Sequence, residues 1–96
     1  MARYRIVQWR DLPSVVEAED GGPTVRVPLS QRFQDLIDAV AVRDGATDSD
    51  AYLEGWATGP ENERPGDAPA VARQVADELE AGFQDLVLRR LIGPPR

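Results

Sequence analysis

The side chains of this chain best equipped for chemistry are its arginines and its two tryptophans, Trp9 and Trp56. Among 96 residues there is no cysteine, no histidine and no lysine, so all eleven basic residues are arginine. Without cysteine the chain offers no thiolate nucleophile, no disulfide and no sulfur ligand for zinc or an iron–sulfur cluster. Without histidine it offers no imidazole base, no catalytic triad and none of the usual zinc sites. Without lysine there is no Schiff-base amine and no P-loop lysine. Carboxylates, hydroxyls and guanidinium groups remain. A guanidinium recognises carboxylate or phosphate through a rigid fork of donors, and arginine and tryptophan are enriched where a few residues carry most of a binding energy. Trp9, Arg10, Trp56 and Arg32 are therefore the candidate partner-binding residues. No catalytic residue, metal ligand or cofactor is assigned.

Other signals carry less. The loop ATDSD, residues 46–50, sets two aspartates beside two hydroxyls but lacks the spacing of a calcium loop, and reads as a solvated loop ending in a cap. Glu17 and Glu19 share one strand face and are candidates for a carboxylate pair, against the commoner reading of a polar outer face. The run Asp77-Glu78-Leu79-Glu80 reads as a solvated helix face.

The elements that must position these residues follow from periodicity. In Arg3 to Trp9 the side chains divide by period two, with Tyr4, Ile6 and Gln8 on one face and Arg3, Arg5, Val7 and Trp9 on the other. Arg10-Asp11-Leu12-Pro13 supplies turn chemistry, and a second strand is expected over 14–20. Gly21-Gly22-Pro23 closes a hairpin onto residues 24–29, an edge strand because Pro28 lacks a ladder donor. Ser30 is the N-cap of a helix over 31–44, with Phe33, Leu36, Ile37, Val40 and Ala41 at helical spacing and Gly45 as its stop. Tyr52 and Trp56 share a face whether residues 51–58 are strand or helix, and a strand is favoured because of Gly55. The segment 59–66 reads as an exposed loop. Asp67 or Ala68 caps a final helix with Pro69 in its first turn and Val71, Val75, Leu79, Phe83 and Leu86 as its stripe, with Leu91 on a flank, ending at Gly93-Pro94-Pro95.

The order β-β-β-α-β-α predicts a single α+β domain over 1–96, a two-layer sandwich with an antiparallel-rich four-stranded sheet and both helices on one face. Tyr4 and Ile6 then face the helices, which sends Trp9 to the open face beside Arg10, with Trp56 sharing that exposure. On the bland reading Trp9 merely covers the sheet locally; on the functional one it anchors a Trp/Arg patch.

A net charge of −6 disfavours nucleic acid and anionic membranes, and no apolar run approaches the roughly 20 residues of a membrane span. A cytoplasmic protein is expected, and the lysine-free, arginine- and alanine-rich composition suggests a GC-rich bacterial genome.

Taken jointly, YRIVQWRDLP (4–13), SQRFQDLIDAV (30–40), DAYLEGW (50–56) and VADELEAGFQDL (75–86) resemble the small bacterial virulence-factor domain family, the domain also carried by conserved virulence factor C, over Tyr4 to about Leu91. The resemblance implies no catalytic set. It emphasises Trp9, Arg10, Asp11, Pro13, Arg32, Phe33, Tyr52 and Trp56 as pattern positions, and associates stand-alone members loosely with gene neighbourhoods for corrinoid and tetrahydrofolate methyl transfer. Two functions are carried forward. One is a small non-enzymatic accessory or adaptor protein that binds a larger protein, a methyltransferase-type enzyme being one such partner, with a homodimer as another arrangement. The other is a small-molecule binding protein or minimal enzyme of one-carbon metabolism, in which Arg10 and Arg32 hold an anion while Trp9 or Trp56 stacks on a ring. The residue inventory itself gives a first prediction: after chelator washing, elemental analysis finds neither zinc nor iron in the purified protein, and stoichiometric metal overturns that reading.

Overall fold

The computed structural model describes residues 1–92, the last of them in its backbone alone, so the expected stop at Gly93-Pro94-Pro95 lies outside the described residues. Three strands open the chain: β1, Ala2–Trp9; β2, Leu12–Glu19; and β3, Val25–Pro28. Helix α1, Gln31–Arg43, and the short α2, Ser49–Glu54, lead into β4, Trp56–Thr58, and β5, Asn62–Arg64. Helix α3, Ala68–Ala81, continues through α4, Phe83–Val87, into a π-helical turn, Leu88–Ile92. The sheet is antiparallel in the order β3-β2-β1-β4, with β5 pairing β1 beside β4. The domain is α+β as its periodicities predict.

Three details depart from expectation. The sheet has five strands, because Asn62–Arg64 leaves the anticipated loop to pair with Ala2–Tyr4. Residues 51–58 are divided, helical to Glu54 and extended from Trp56. Asp48 starts that helix by accepting from the Ala51 N–H at 2.9 Å, the capping role expected of its loop. The final helix breaks at Gly82, whose φ of −89° and ψ of 4° leave the helical region. That break redirects the apolar stripe. Val71, Ala72, Val75 and Ala76 pack with Ala2, Val16 and Ala18, while Leu86 joins Trp9, Leu12, Phe33, Leu36, Ile37 and Val40. The stripe of the final helix thus divides between two clusters, with Leu29 packed against both. Leu79 and Phe83 are half-buried, and Leu91 is exposed.

The largest departure concerns Trp9, expected on the open face and found with 0% exposure. Alternation holds from Ala2 to Ile6, whose even-numbered side chains pack toward α3. Between Val7 and Gln8 the register with β2 slips: Val7 pairs with Val15, but Gln8 pairs with Pro13. The alternation of β1 ends at this irregularity, and Trp9, opposite Leu12, lies in the core although its number is odd. The indole packs so closely on Gly55 that a Cβ there would lie 2.7 Å from Cε2 and 2.8 Å from Cδ1. Its Nε1–H donates at 2.7 Å to the Tyr52 carbonyl near the end of α2, which also accepts the Gly55 N–H at 3.2 Å. Gly55 is therefore needed for space, not for an unusual backbone, since its φ is −71°.

The open face of the sheet carries charge in place of tryptophan. Arg5 Nε lies 3.0 Å from Glu17 and its NH1 3.6 Å from Glu19, while Arg3 spans Glu19 and Glu61 and Arg26 reaches Glu17 at 3.2 Å. Glu17 and Glu19 thus serve as partners of arginine in a cross-strand ladder. Trp9→Ala should destabilise the fold by about 3 to 5 kcal/mol and Gly55→Ala by about 1 to 3, measured by urea unfolding. In the double variant the alanine at 55 should cost much less, since the clashing indole is gone; simple additivity would show that Gly55 does not serve the tryptophan.

Candidate functional site

The turn between β1 and β2 consists of Arg10 and Asp11, and Arg10 has a φ of 55°. Among the described residues it is the one non-glycine residue with positive φ. That value belongs to the left-handed region, where glycine or asparagine is usual in so short a hairpin turn. Three contacts hold the arginine there. Its N–H donates to the Gly55 carbonyl at 2.6 Å, its guanidinium carbon lies 4.5 Å from the centroid of the Trp9 ring, and its NH1 donates to Asp44 Oδ2 at 2.9 Å. Asp44 stands just past the end of α1, and its other oxygen lies 3.7 Å from Arg43 Nε.

Behind the turn, the aromatics form a stack. Trp9 and Tyr52 lie 5.8 Å apart and nearly parallel, and Tyr52 meets Trp56 edge-on at 6.1 Å. Gln34 of α1 donates to the Tyr52 hydroxyl at 3.2 Å. Trp56 is half-buried and pairs with Trp9 across β1 and β4. The candidates Arg10 and Trp56 are therefore neighbours at one end of the sheet. Trp9 lies beneath them as their support, and the expectation that it contacts a partner directly is corrected by its complete burial.

Arg32 belongs elsewhere. It lies at the start of α1, about 18 Å along the helix axis from Asp44 by the rise per residue. Its Nε and NH2 donate to Glu80 Oε1 at 3.2 and 2.9 Å, its NH2 also to the Glu80 carbonyl at 2.8 Å, and its guanidinium carbon stands 4.4 Å from the Phe83 ring. Ser30, the expected cap of α1, also turns to Glu80: its N–H donates to Oε2 at 2.7 Å and its hydroxyl to Oε1 at 2.8 Å. The Ser30 side chain makes no cap bond of its own. Partial burial of the Glu80 carboxyl works against its ionisation, but hydrogen bonds from Ser30 and Arg32 outweigh it and hold the group below its ordinary value. Glu78, anticipated as merely solvated, is likewise lowered, by the bidentate grip of Arg64 at 2.6 and 3.0 Å.

A shallow cleft of about 190 Å³ adjoins the turn, lined by Asp11, Pro13, Leu79, Gly82, Leu86 and Arg89. Sites for drug-sized ligands occupy about 300 Å³ or more. Sequence reasoning missed Asp44, Arg43, Arg90 and the cleft, which come together through contacts between segments more than thirty residues apart. The one available signal was the arginine pair 89–90 in the last helical turns, where the helix dipole alone already favours cations.

A family model described as virulence factor matches residues 7–92, and the chain belongs to that family. No curated protein and no solved structure matches it. Among the described residues, no helix is long and apolar enough to cross a membrane.

Because its folded-state pKa is depressed, Glu80 contributes stability above the ordinary carboxylate pKa of about 4.3 and loses it as pH falls through the lower folded value. Glu80→Gln should therefore cost about 1 kcal/mol at pH 7, a figure kept small because the pair with Arg32 is half exposed. Urea unfolding from pH 7 down to pH 3 should show the two proteins converging; a gap that widens toward acid would contradict the assignment.

Proposed function

We propose that this member of the virulence-factor family is a small accessory protein, without catalytic machinery of its own, that docks on a larger protein through the edge formed by Arg10 and Trp56. The observation that carries the reading is Arg10 itself, an exposed residue held in a left-handed turn. Placing a non-glycine residue there costs roughly 1 to 2 kcal/mol. An exposed cation–π contact contributes about 0.5 to 1 and a surface ion pair about 0 to 1, so the contacts of Arg10 do little more than offset its backbone. A glycine would hold the same turn without strain. What arginine adds is a guanidinium fixed at the surface over Trp9, whose strand partner Trp56 is half-buried, and arginine with tryptophan is the composition of an interface anchor.

The absence of histidine, cysteine and lysine supports the same reading, as does the small volume of the adjoining cleft. A single ligand gripped by both Arg10 and Arg32 has no support in the geometry. The two lie at opposite ends of α1, and Arg32 is engaged by Glu80. The association of the family with corrinoid and folate methyl transfer makes a methyltransferase-type enzyme the first partner class to test.

The decisive variant is Arg10→Gly. Its melting temperature should stay within about 3 °C of the parent, because relief of strain and loss of contacts nearly cancel. Affinity capture from the source organism, followed by binding of the purified candidate, should retain a partner on the parent protein and lose it on Arg10→Gly and on Trp56→Ser. Equal capture by all three proteins would reject this surface, and turnover of a metabolite by the isolated chain would reject the accessory role.

A further inference from the structure

Arg10 is one member of a larger arrangement that closes on itself. Asp44 is shared by Arg10, at 2.9 Å, and Arg43, at 3.7 Å. Arg43 NH1 donates to the carbonyls of Arg90 and Leu91 at 2.6 and 2.8 Å, fastening the end of α1 to the π-helical turn. Arg90 Nε lies 3.4 Å from Asp11 Oδ1, and Asp11 follows Arg10 in the chain. Three elements distant in sequence thus form a circuit of arginines and aspartates at one end of the domain. Arg89 extends it, lining the cleft that Asp11 also lines.

We propose that Arg10, Arg43, Arg89 and Arg90 form a binding site for a single phosphate group, at the end of the domain where the β1–β2 turn meets α1 and the π-helical turn. Four guanidinium groups stand against two carboxylates, Asp11 and Asp44, leaving an excess of two positive charges within a chain whose net charge is −6. Glu78, the other carboxylate lining the cleft, is neutralised by Arg64. A phosphate monoester carries about −1.5 to −2 at pH 7 and so matches that excess. A long polyanion does not, because beyond roughly one Debye length of 8 to 10 Å it meets the acidic remainder of the surface.

Donor supply points the same way. Each guanidinium has five N–H donors in a planar fork suited to oxyanions. Among the described residues, the side-chain hydrogen bonds of Arg10 and Arg43 use NH1 alone. Arg90 Nε is buried against Asp11 as an ion pair without hydrogen-bond alignment, while its two terminal nitrogens make no hydrogen bond among the described residues. Arg10 and Arg43 remain open to solvent, with side-chain exposures of 40% and 53%.

The inference shares only Arg10 with the docking surface above and needs no protein partner. Its test is a titration of the full chain with inorganic phosphate at constant ionic strength, followed through the arginine Nε–Hε signals by NMR. Saturable shifts at Arg10, Arg43 and Arg90 are expected. Arg43→Gln and Arg89→Gln should each weaken binding by about tenfold, as loss of a charge-assisted contact does, while Arg26→Gln on the open sheet face should leave it unchanged. Arg89 makes no hydrogen bond or ion pair among the described residues, so its variant tests the site even if Arg43→Gln unfolds. A phosphoserine peptide binding much more tightly than inorganic phosphate would identify a phosphorylated partner as the source, and equal binding would identify free phosphate. Shifts that grow linearly, that chloride reproduces, or that survive in Arg89→Gln would overturn the site.

Discussion

The burial of one indole organises this domain. Trp9 fills the space between the end of the sheet and α1, and every feature around it is shaped to receive it. It lies inward past the break in register between Val7 and Gln8, Gly55 gives it room, and the Tyr52 carbonyl accepts its only polar proton. A buried tryptophan whose N–H found no acceptor would forfeit much of what its area contributes. That requirement explains why α2 exists at all. Six residues are far too few to be stable alone, and this helix is fixed by Asp48 at one end and by the indole at the other.

Periodicity revealed the fold wherever a period ran undisturbed. The stripe Phe33, Leu36, Ile37, Val40 and Ala41 is buried as spaced, Asp67 and Pro69 start α3, and β3 with its Pro28 is the sheet edge. The same reasoning misplaced Trp9 because an alternation carried past an irregularity assigns every later side chain to the wrong face. Nothing in Ser14 or Gln8 marks the slip, beyond which Trp9 and Leu12 are buried opposite one another. Gly82 was visible but ambiguous, since one glycine within a helix costs only about 1 kcal/mol and is often tolerated. Here the break moves Phe83 and Leu86 onto the Trp9 side of the core, where the Phe83 ring meets Phe33 at 4.8 Å. β5 was hidden because Asn62-Glu63-Arg64 has no apolar pattern: its place comes from pairing with β1 and from Arg64 reaching both Glu78 and Tyr4.

With lysine absent, guanidinium groups do the work of tying elements together. On the open sheet face they alternate with glutamates in a ladder that keeps an otherwise flat surface polar. Between α1 and α3 a single carboxylate, Glu80, gathers a backbone N–H, a hydroxyl and a guanidinium. In both places each arginine is matched by acid. At the first turn the balance reverses, and arginines outnumber carboxylates in a protein that is acidic as a whole. The candidate site was therefore half legible: Arg10 and Trp56 could be read from composition, whereas their companions Arg43, Asp44 and Arg90 arrive only through contacts that close loops of more than thirty residues.

The two residue types that drew attention in the sequence have divided the labour. Trp9 is inside and positions; Arg10, stacked on it, is outside. This division has an energetic consequence, because immobilising a long flexible side chain on binding costs about 0.5 to 1.5 kcal/mol. Arg10 is already held in place within the folded domain. Its backbone is fixed by Gly55, its guanidinium lies over the buried indole, and its NH1 is held by Asp44. The strain at φ 55° and the burial of Trp9 are thus linked, since the left-handed backbone is what brings the guanidinium back over the ring of the preceding residue. An arginine in a relaxed turn would point into solvent with its rotamers free, and would have to be ordered at the moment of recognition.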